Sequence, residues 1–136
     1  MLPQMGTRPL VDTDSLETIL VIDDERSFCE VVAEILANDG YKVHKAFNAT
    51  QAEEILADVQ PQLIILDIMM PDIDGLTLIR RLRSNRRFAH TPIIVSSAKY
   101  LREDRSAALE SGADIFLSKP FSARELRESI KSILSS

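Results

Sequence analysis

The sequence has 136 residues, 45% of them apolar, and a formal net charge of -5 at pH 7. That size suits one domain whose core takes up roughly two-thirds of the unfolded surface, and the acidic balance argues against general affinity for nucleic acid. The lone cysteine, Cys29, excludes an intrachain disulfide and a cysteine-based metal site; with no run of ~20 apolar residues and no apolar leader, the expected setting is reducing and cytoplasmic.

Residues 1–16 contain Pro3, Gly6 and Pro9 without apolar periodicity and read as a flexible N-terminal arm. The domain is expected over residues 17–136. Ile19, Leu20, Val21 and Ile22 form a continuous apolar run that ends in acids, the pattern of a strand buried on both faces. Phe28, Val31, Val32, Ile35 and Leu36 then recur at helical spacing, and Gly40 suits the helix stop. Residues 41–46 read as a second, less apolar strand nearer an edge. Asn48 caps a second helix reaching residue 58, with Gln51 at the capping-box position. Leu63, Ile64, Ile65 and Leu66 make a third strand, closed by Asp67. After a loop with Pro71 and Gly75, Leu76, Ile79 and Leu82 mark a third helix. A fourth strand begins at Pro92, where a proline is tolerated. A fourth helix covers residues 103–111 and stops at Gly112. Ile115, Phe116 and Leu117 form the fifth strand, and Ser122 with Glu125 boxes the start of a last helix.

Strand and helix thus alternate five times along the sequence. That alternation implies a parallel sheet covered by helices on both faces, with right-handed crossovers. Ligands in such sheets bind beyond the carboxyl ends of the strands. Asp23 and Asp24 follow the first strand, Asp67 the third, Ser96 and Ser97 close the fourth, and Ser118, Lys119 and Pro120 follow the fifth. Carboxylates so gathered repel by about 4 kcal/mol per pair at 4 Å and an effective dielectric near 20, so the site calls for a cation or for raised pKa values. An all-oxygen donor set suits Mg²⁺ or Mn²⁺ over Zn²⁺. A carboxylate beside a hard cation, a lysine and a hydroxyl is equipped to handle phosphate.

Four segments carry a family resemblance: Val21-Ile22-Asp23-Asp24-Glu25; Leu66-Asp67-Ile68-Met69-Met70-Pro71 with Asp74-Gly75; Ser97-Ala98; and Ser118-Lys119-Pro120-Phe121. Together, in this order, they resemble the response-regulator receiver domains of two-component signalling, over residues 18–134. The resemblance implies an α/β, flavodoxin-like (βα)5 three-layer sandwich with strand order 2-1-3-4-5. It implies that Asp67 is the phosphoacceptor. It also implies that Asp24 ligates Mg²⁺ with Asp23 assisting, and that the Met69 backbone carbonyl is a further ligand. By the same resemblance Lys119 contacts the phosphoryl group, Ser97 hydrogen-bonds it, Phe116 changes rotamer with it, and the bond before Pro120 is cis. Implied partners are a sensor histidine kinase or histidine phosphotransfer protein, and a downstream target on the face of the fourth helix, fifth strand and last helix. That face also suits a homodimer. Met69 and Lys99, two residues beyond Asp67 and Ser97, occupy positions that tune phosphoryl lifetime in the family.

Plainer readings stand beside these. The aspartates suit helix caps, Phe116 suits ordinary core, Ser97 suits a turn, and Ser96 replaces it if the strand end slips by one residue. Cys29 reads as an inert helix cysteine, and His44 and His90 as surface residues. Arg80, Arg81, Arg83, Arg86 and Arg87 read as a solvated basic face, with docking of an acidic partner as the alternative. The fourth helix offers mainly Leu101, Ala108 and Leu109 for burial, so it should be displaced easily. A calcium loop aligned on Gly75 places Met70 and Arg81 where acids are required, which excludes an EF-hand. A dehalogenase-type phosphatase wants an acid where Met69 stands, and the glycines form no phosphate loop. The rival function is a receiver-like interaction module without phosphorylation. The sequence leaves open whether the domain acts alone or within a longer regulator.

Overall fold

The computed structural model describes residues 17–98 and 102–135. The arm expected for residues 1–16, and Lys99 and Leu101, lie outside the described residues. In chain order the elements are β1 (Thr18–Ile22), α1 (Arg26–Asn38), β2 (Lys42–Ala46), α2 (Ala49–Leu56), β3 (Leu63–Leu66), α3 (Gly75–Ser84), β4 (Ile93–Ser97), α4 (Arg102–Ser111), β5 (Ile115–Ser118) and α5 (Ala123–Leu134). The five strands form one sheet in the order β2-β1-β3-β4-β5, every pair parallel.

Alternation along the strands divides the core. Leu20, Ile22, Ile64, Leu66, Ile93, Val95 and Phe116 pack on one face with residues of α2, α3 and α4. Ile19, Val21, Leu63, Ile65 and Ile94 pack on the other with α1 and α5. This is the three-layer sandwich expected from the βα repeat. The central strands are buried on both faces, which explains the apolar runs Ile19–Ile22, Leu63–Leu66 and Ile93–Val95 within them.

Local signals behave as their chemistry dictates. Gly40 and Gly112 take φ of 98° and 123°, the left-handed region that glycine enters without steric penalty. Asn48 Oδ1 accepts from Gln51 N at 2.7 Å, and Ser122 and Glu125 complete a reciprocal capping box.

Several details differ from expectation. α1 buries Cys29, Val32, Ala33 and Leu36, while Val31 is 56% exposed. The small residues Cys29 and Ala33 let the helix approach the sheet and rotate its buried stripe away from Val31. α2 ends at Leu56, short of residue 58, and β2 starts at Lys42 because Tyr41 N bonds back to Leu36 O in the preceding turn. In α3, Leu78 joins Ile79 and Leu82 in the core, and Leu76 is only partly buried. α4 starts at Arg102, buries Ala108 and leaves Leu109 41% exposed.

The arginine cluster is not one solvated face. Arg83 donates to the carbonyls of Gly112 (2.9 Å), Phe88 (2.9 Å) and Thr91 (2.7 Å), and pairs with Asp114 at 3.0 Å. Arg87 donates to Leu56 O at 2.8 Å and to Gln60 at 3.2 Å. These side chains tie together the ends of α2 and α3 and the loops around β4 and β5. Arg81 pairs with Glu53 at 3.3 Å, and Arg86 is exposed.

Candidate functional site

β1 and β3 are neighbours, with Ile22 opposite Leu66, so the residues that follow them emerge side by side. Asp23 N bonds Ala46 O and Asp67 N bonds Ile22 O, both at 3.0 Å, which fixes both backbones at the sheet edge. Asp23 is 1% and Asp67 6% exposed, whereas Asp24 is exposed. Carboxylate oxygens of Asp23, Asp24 and Asp67 lie within 4.8 Å of one another.

Lys119 follows β5, and its N–H bonds Ser97 O at 2.8 Å, extending the sheet ladder by one residue. Its Nζ reaches Asp23 Oδ2 at 2.8 Å and Asp67 Oδ2 at 3.0 Å, with Glu25 at 3.9 Å. The peptide bond from Lys119 to Pro120 is cis, as the resemblance implied. The remaining oxygens meet backbone donors: Glu25 N donates to Asp23 Oδ1 at 3.0 Å, and Met69 N donates to Asp67 Oδ1 at 2.8 Å. Each buried aspartate therefore has one oxygen on an amide and one on the ammonium.

The electrostatics follow from this arrangement. Burial raises the Asp23 carboxyl above the usual carboxylate range, against Lys119 and the Glu25 amide, which lower it. For Lys119 burial acts downward, but the hydrogen bonds from its ammonium to Asp23 and Asp67 outweigh it and the pKa rises. One ammonium among three carboxylates leaves the cluster negative. The donor set, all hard oxygens, fits Mg²⁺ or Mn²⁺ at Asp23, Asp24 and Asp67, with the Met69 carbonyl in the adjoining loop.

Ser97 is fully buried as the last residue of β4, opposite Ser118, so the strand end does not slip to Ser96. The Ser96 hydroxyl is buried without a hydrogen-bond partner. Phe116 is buried in β5 next to Val95, and the Arg105 guanidinium of α4 stands 5.9 Å from its ring centroid. Gly75 N bonds Ile68 O, and a Cβ on Gly75 would lie 2.4 Å from the Ile68 backbone. Only glycine lets α3 start against the loop that carries Asp67.

Two contributors were not legible from spacing. Asp72 reaches across from this loop and accepts from Ala49 N at 3.2 Å and Thr50 N at 3.0 Å, capping α2. Phe28, expected only as core, holds its ring centroid 4.0 Å from Lys119 Nζ. The signal for Asp72 was an acid in a loop; for Phe28 there was none beyond its place four residues after Asp24.

A family model described as the response regulator receiver domain matches residues 19–131. The chain belongs to the response-regulator receiver family. The receiver is 40% identical over 118 residues to the phosphate regulon transcriptional regulatory protein PhoB of Pseudomonas aeruginosa, covering 87% of this chain and 52% of that protein. It is 38% identical over 118 residues to response regulator Rre1 of Synechocystis, covering 86% and 51%. The receiver thus spans about half the length of the curated relatives it matches. Among solved structures, a CheY-like receiver domain protein of Methanospirillum hungatei superposes with a TM-score of 0.83 at 29% identity, covering 89% of this chain and 95% of that one. Chemotaxis protein CheY4 of Vibrio cholerae gives a TM-score of 0.84 at 25% identity, covering 88% and 100%. The sheet order of this receiver is the 2-1-3-4-5 order expected of the fold.

Proposed function

We propose that this receiver is a phosphorylation switch in which Asp67 takes a phosphoryl group from the phosphohistidine of a sensor histidine kinase or histidine phosphotransfer protein. The observation that carries this reading is the contact of Lys119 with both buried aspartates at the strand ends. An Asp67 carboxylate oxygen attacks phosphorus, the P–N bond breaks, and the imidazole leaves with the electron pair. Lys119 is within reach to move its ammonium from the carboxylate to a phosphoryl oxygen. Asp23, Asp24, Asp67 and the Met69 carbonyl would hold Mg²⁺, which when bound supplies positive charge to the phosphoryl oxygens and relieves the carboxylate repulsion.

Ser97 would hydrogen-bond the new phosphoryl group, and Phe116, opposite Val95 on the neighbouring strand β5, would repack. The bias passes to α4, whose only buried residue is Ala108, and so to the α4-β5-α5 face that a downstream partner or a second copy reads. On this reading the domain assists its own phosphorylation and dephosphorylation and acts on no metabolite.

The test is incubation with Mg²⁺ and acetyl phosphate, read by intact mass. A gain of about 80 Da is expected, and Asp67→Asn abolishes it. No adduct on the unsubstituted protein, with Mg²⁺ shown to bind, sinks the proposal and leaves a receiver-like interaction module.

A further inference from the structure

We propose that Phe28 is a positioning residue for Lys119, its aromatic face holding the ammonium at the mouth of the acid cluster. The inference rests on the phosphoacceptor reading of Asp67 and deepens it.

The geometry is direct. Lys119 Nζ sits 4.0 Å from the Phe28 ring centroid while it contacts Asp23 and Asp67. The face of an aromatic ring is the negative end of its quadrupole and attracts a cation. The ring is itself held: it meets Phe121 edge-on, centroids 5.5 Å apart and planes at 86°, and packs on the core cluster between α1 and α5. A fixed ring and a flexible lysine stem make the ring the reference and the ammonium the guided group.

Phe28 also does what Asp67 cannot. Once phosphorus bonds to Asp67, that carboxylate gives up its full negative charge to the acyl linkage. Its hold on the ammonium weakens at that moment. The attraction of the ring, like that of Asp23, does not depend on the state of Asp67, so the two together keep Lys119 aimed at the phosphoryl oxygens. An aliphatic side chain of similar size fills the same space without that attraction.

The experiment compares wild type with Phe28→Leu and Phe28→Tyr in Mg²⁺ and acetyl phosphate, following intact mass against time. Phe28→Leu is expected to slow uptake about 3- to 10-fold, and Phe28→Tyr to restore it to within about 2-fold. In parallel, NMR of the unphosphorylated protein should show the Lys119 Cε protons displaced upfield by the ring, an effect kept in Phe28→Tyr and lost in Phe28→Leu. If Phe28→Leu does not fold, Phe28→Met takes its place with the same expectation. Wild-type uptake in the aliphatic variant, or no ring-current displacement in wild type, overturns the proposal. If wild type itself takes up no phosphoryl group, the Asp67 reading fails, and the NMR displacement still decides whether the ring holds the lysine.

Discussion

If Asp24 helps to hold Mg²⁺ as proposed, Asp24→Asn should give a stability effect that changes sign with the metal. Asp24 is exposed, yet its carboxylate lies within 4.8 Å of those of Asp23 and Asp67. At that separation each pair repels by about 0.9 kcal/mol at the dielectric of water and about 3.5 kcal/mol at an effective dielectric near 20. Asp24 faces solvent, so the lower end applies, and the Lys119 charge offsets part of one pair. Neutralising Asp24 without metal should therefore stabilise the protein by about 1–2 kcal/mol, or about 3–8 °C in Tm. Metal reverses the order. At a hundredfold excess over Kd, Mg²⁺ stabilises a binding-competent protein by about 2.7 kcal/mol, and Asp24→Asn forfeits most of that. Thermal melts in EDTA and in saturating Mg²⁺ should show the variant above wild type in the first and below it in the second. A variant less stable than wild type in EDTA refutes the repulsion argument. A gap in EDTA that does not narrow at 1 M salt counts against it too, because screening is strong at that ionic strength.

Asp72→Ala should cost about 1 kcal/mol in urea denaturation, because it removes the cap of α2 supplied by another loop. Slight burial acts upward on the Asp72 carboxyl, but amide donors from Thr50, Ala49 and Ile73 hold it down at about 2. Its contribution is therefore full above the unfolded carboxylate value of about 3.9 and fades as pH falls toward 2, so wild type and variant should converge between pH 4 and pH 2. Arg83→Met keeps the apolar stem but strips donors from the carbonyls of Gly112, Phe88 and Thr91, and should cost about 2–4 kcal/mol. A loss below about 0.5 kcal/mol, the size expected for an ordinary surface change such as Arg86→Met, would return the cluster to a solvated face.

What the sequence disclosed follows from how each feature is encoded. β1 and β3 announce themselves because a strand buried on both faces must be apolar at every position, so the acid that ends the run stands out. Asp23 and Asp67 were legible for that reason; Lys119 follows the edge strand β5 and was legible from its place just beyond a strand end. The α1 stripe was misjudged because Cys29 and Ala33 carry little hydrophobic signal while Val31 carries much, and helix rotation is set by close approach to the sheet. Arg83 was misread because its partners are backbone carbonyls on other segments, which no spacing records. The ring of Phe28 over Lys119 joins two distant parts of the chain and has no local trace.

The arginine ties also give the molecule a mechanical asymmetry. Near its C-terminal end α3 is lashed through Arg83 to the loops around β4 and β5, while its first residue, Gly75, is bonded to Ile68 beside Asp67. A helix of ten residues is about 15 Å long. With the far end pinned, a 1 Å shift of the loop that carries Asp67 therefore becomes a tilt of about 4°, a pivot rather than a slide. The distance travelled is greatest near the aspartates and falls toward zero at the pinned end.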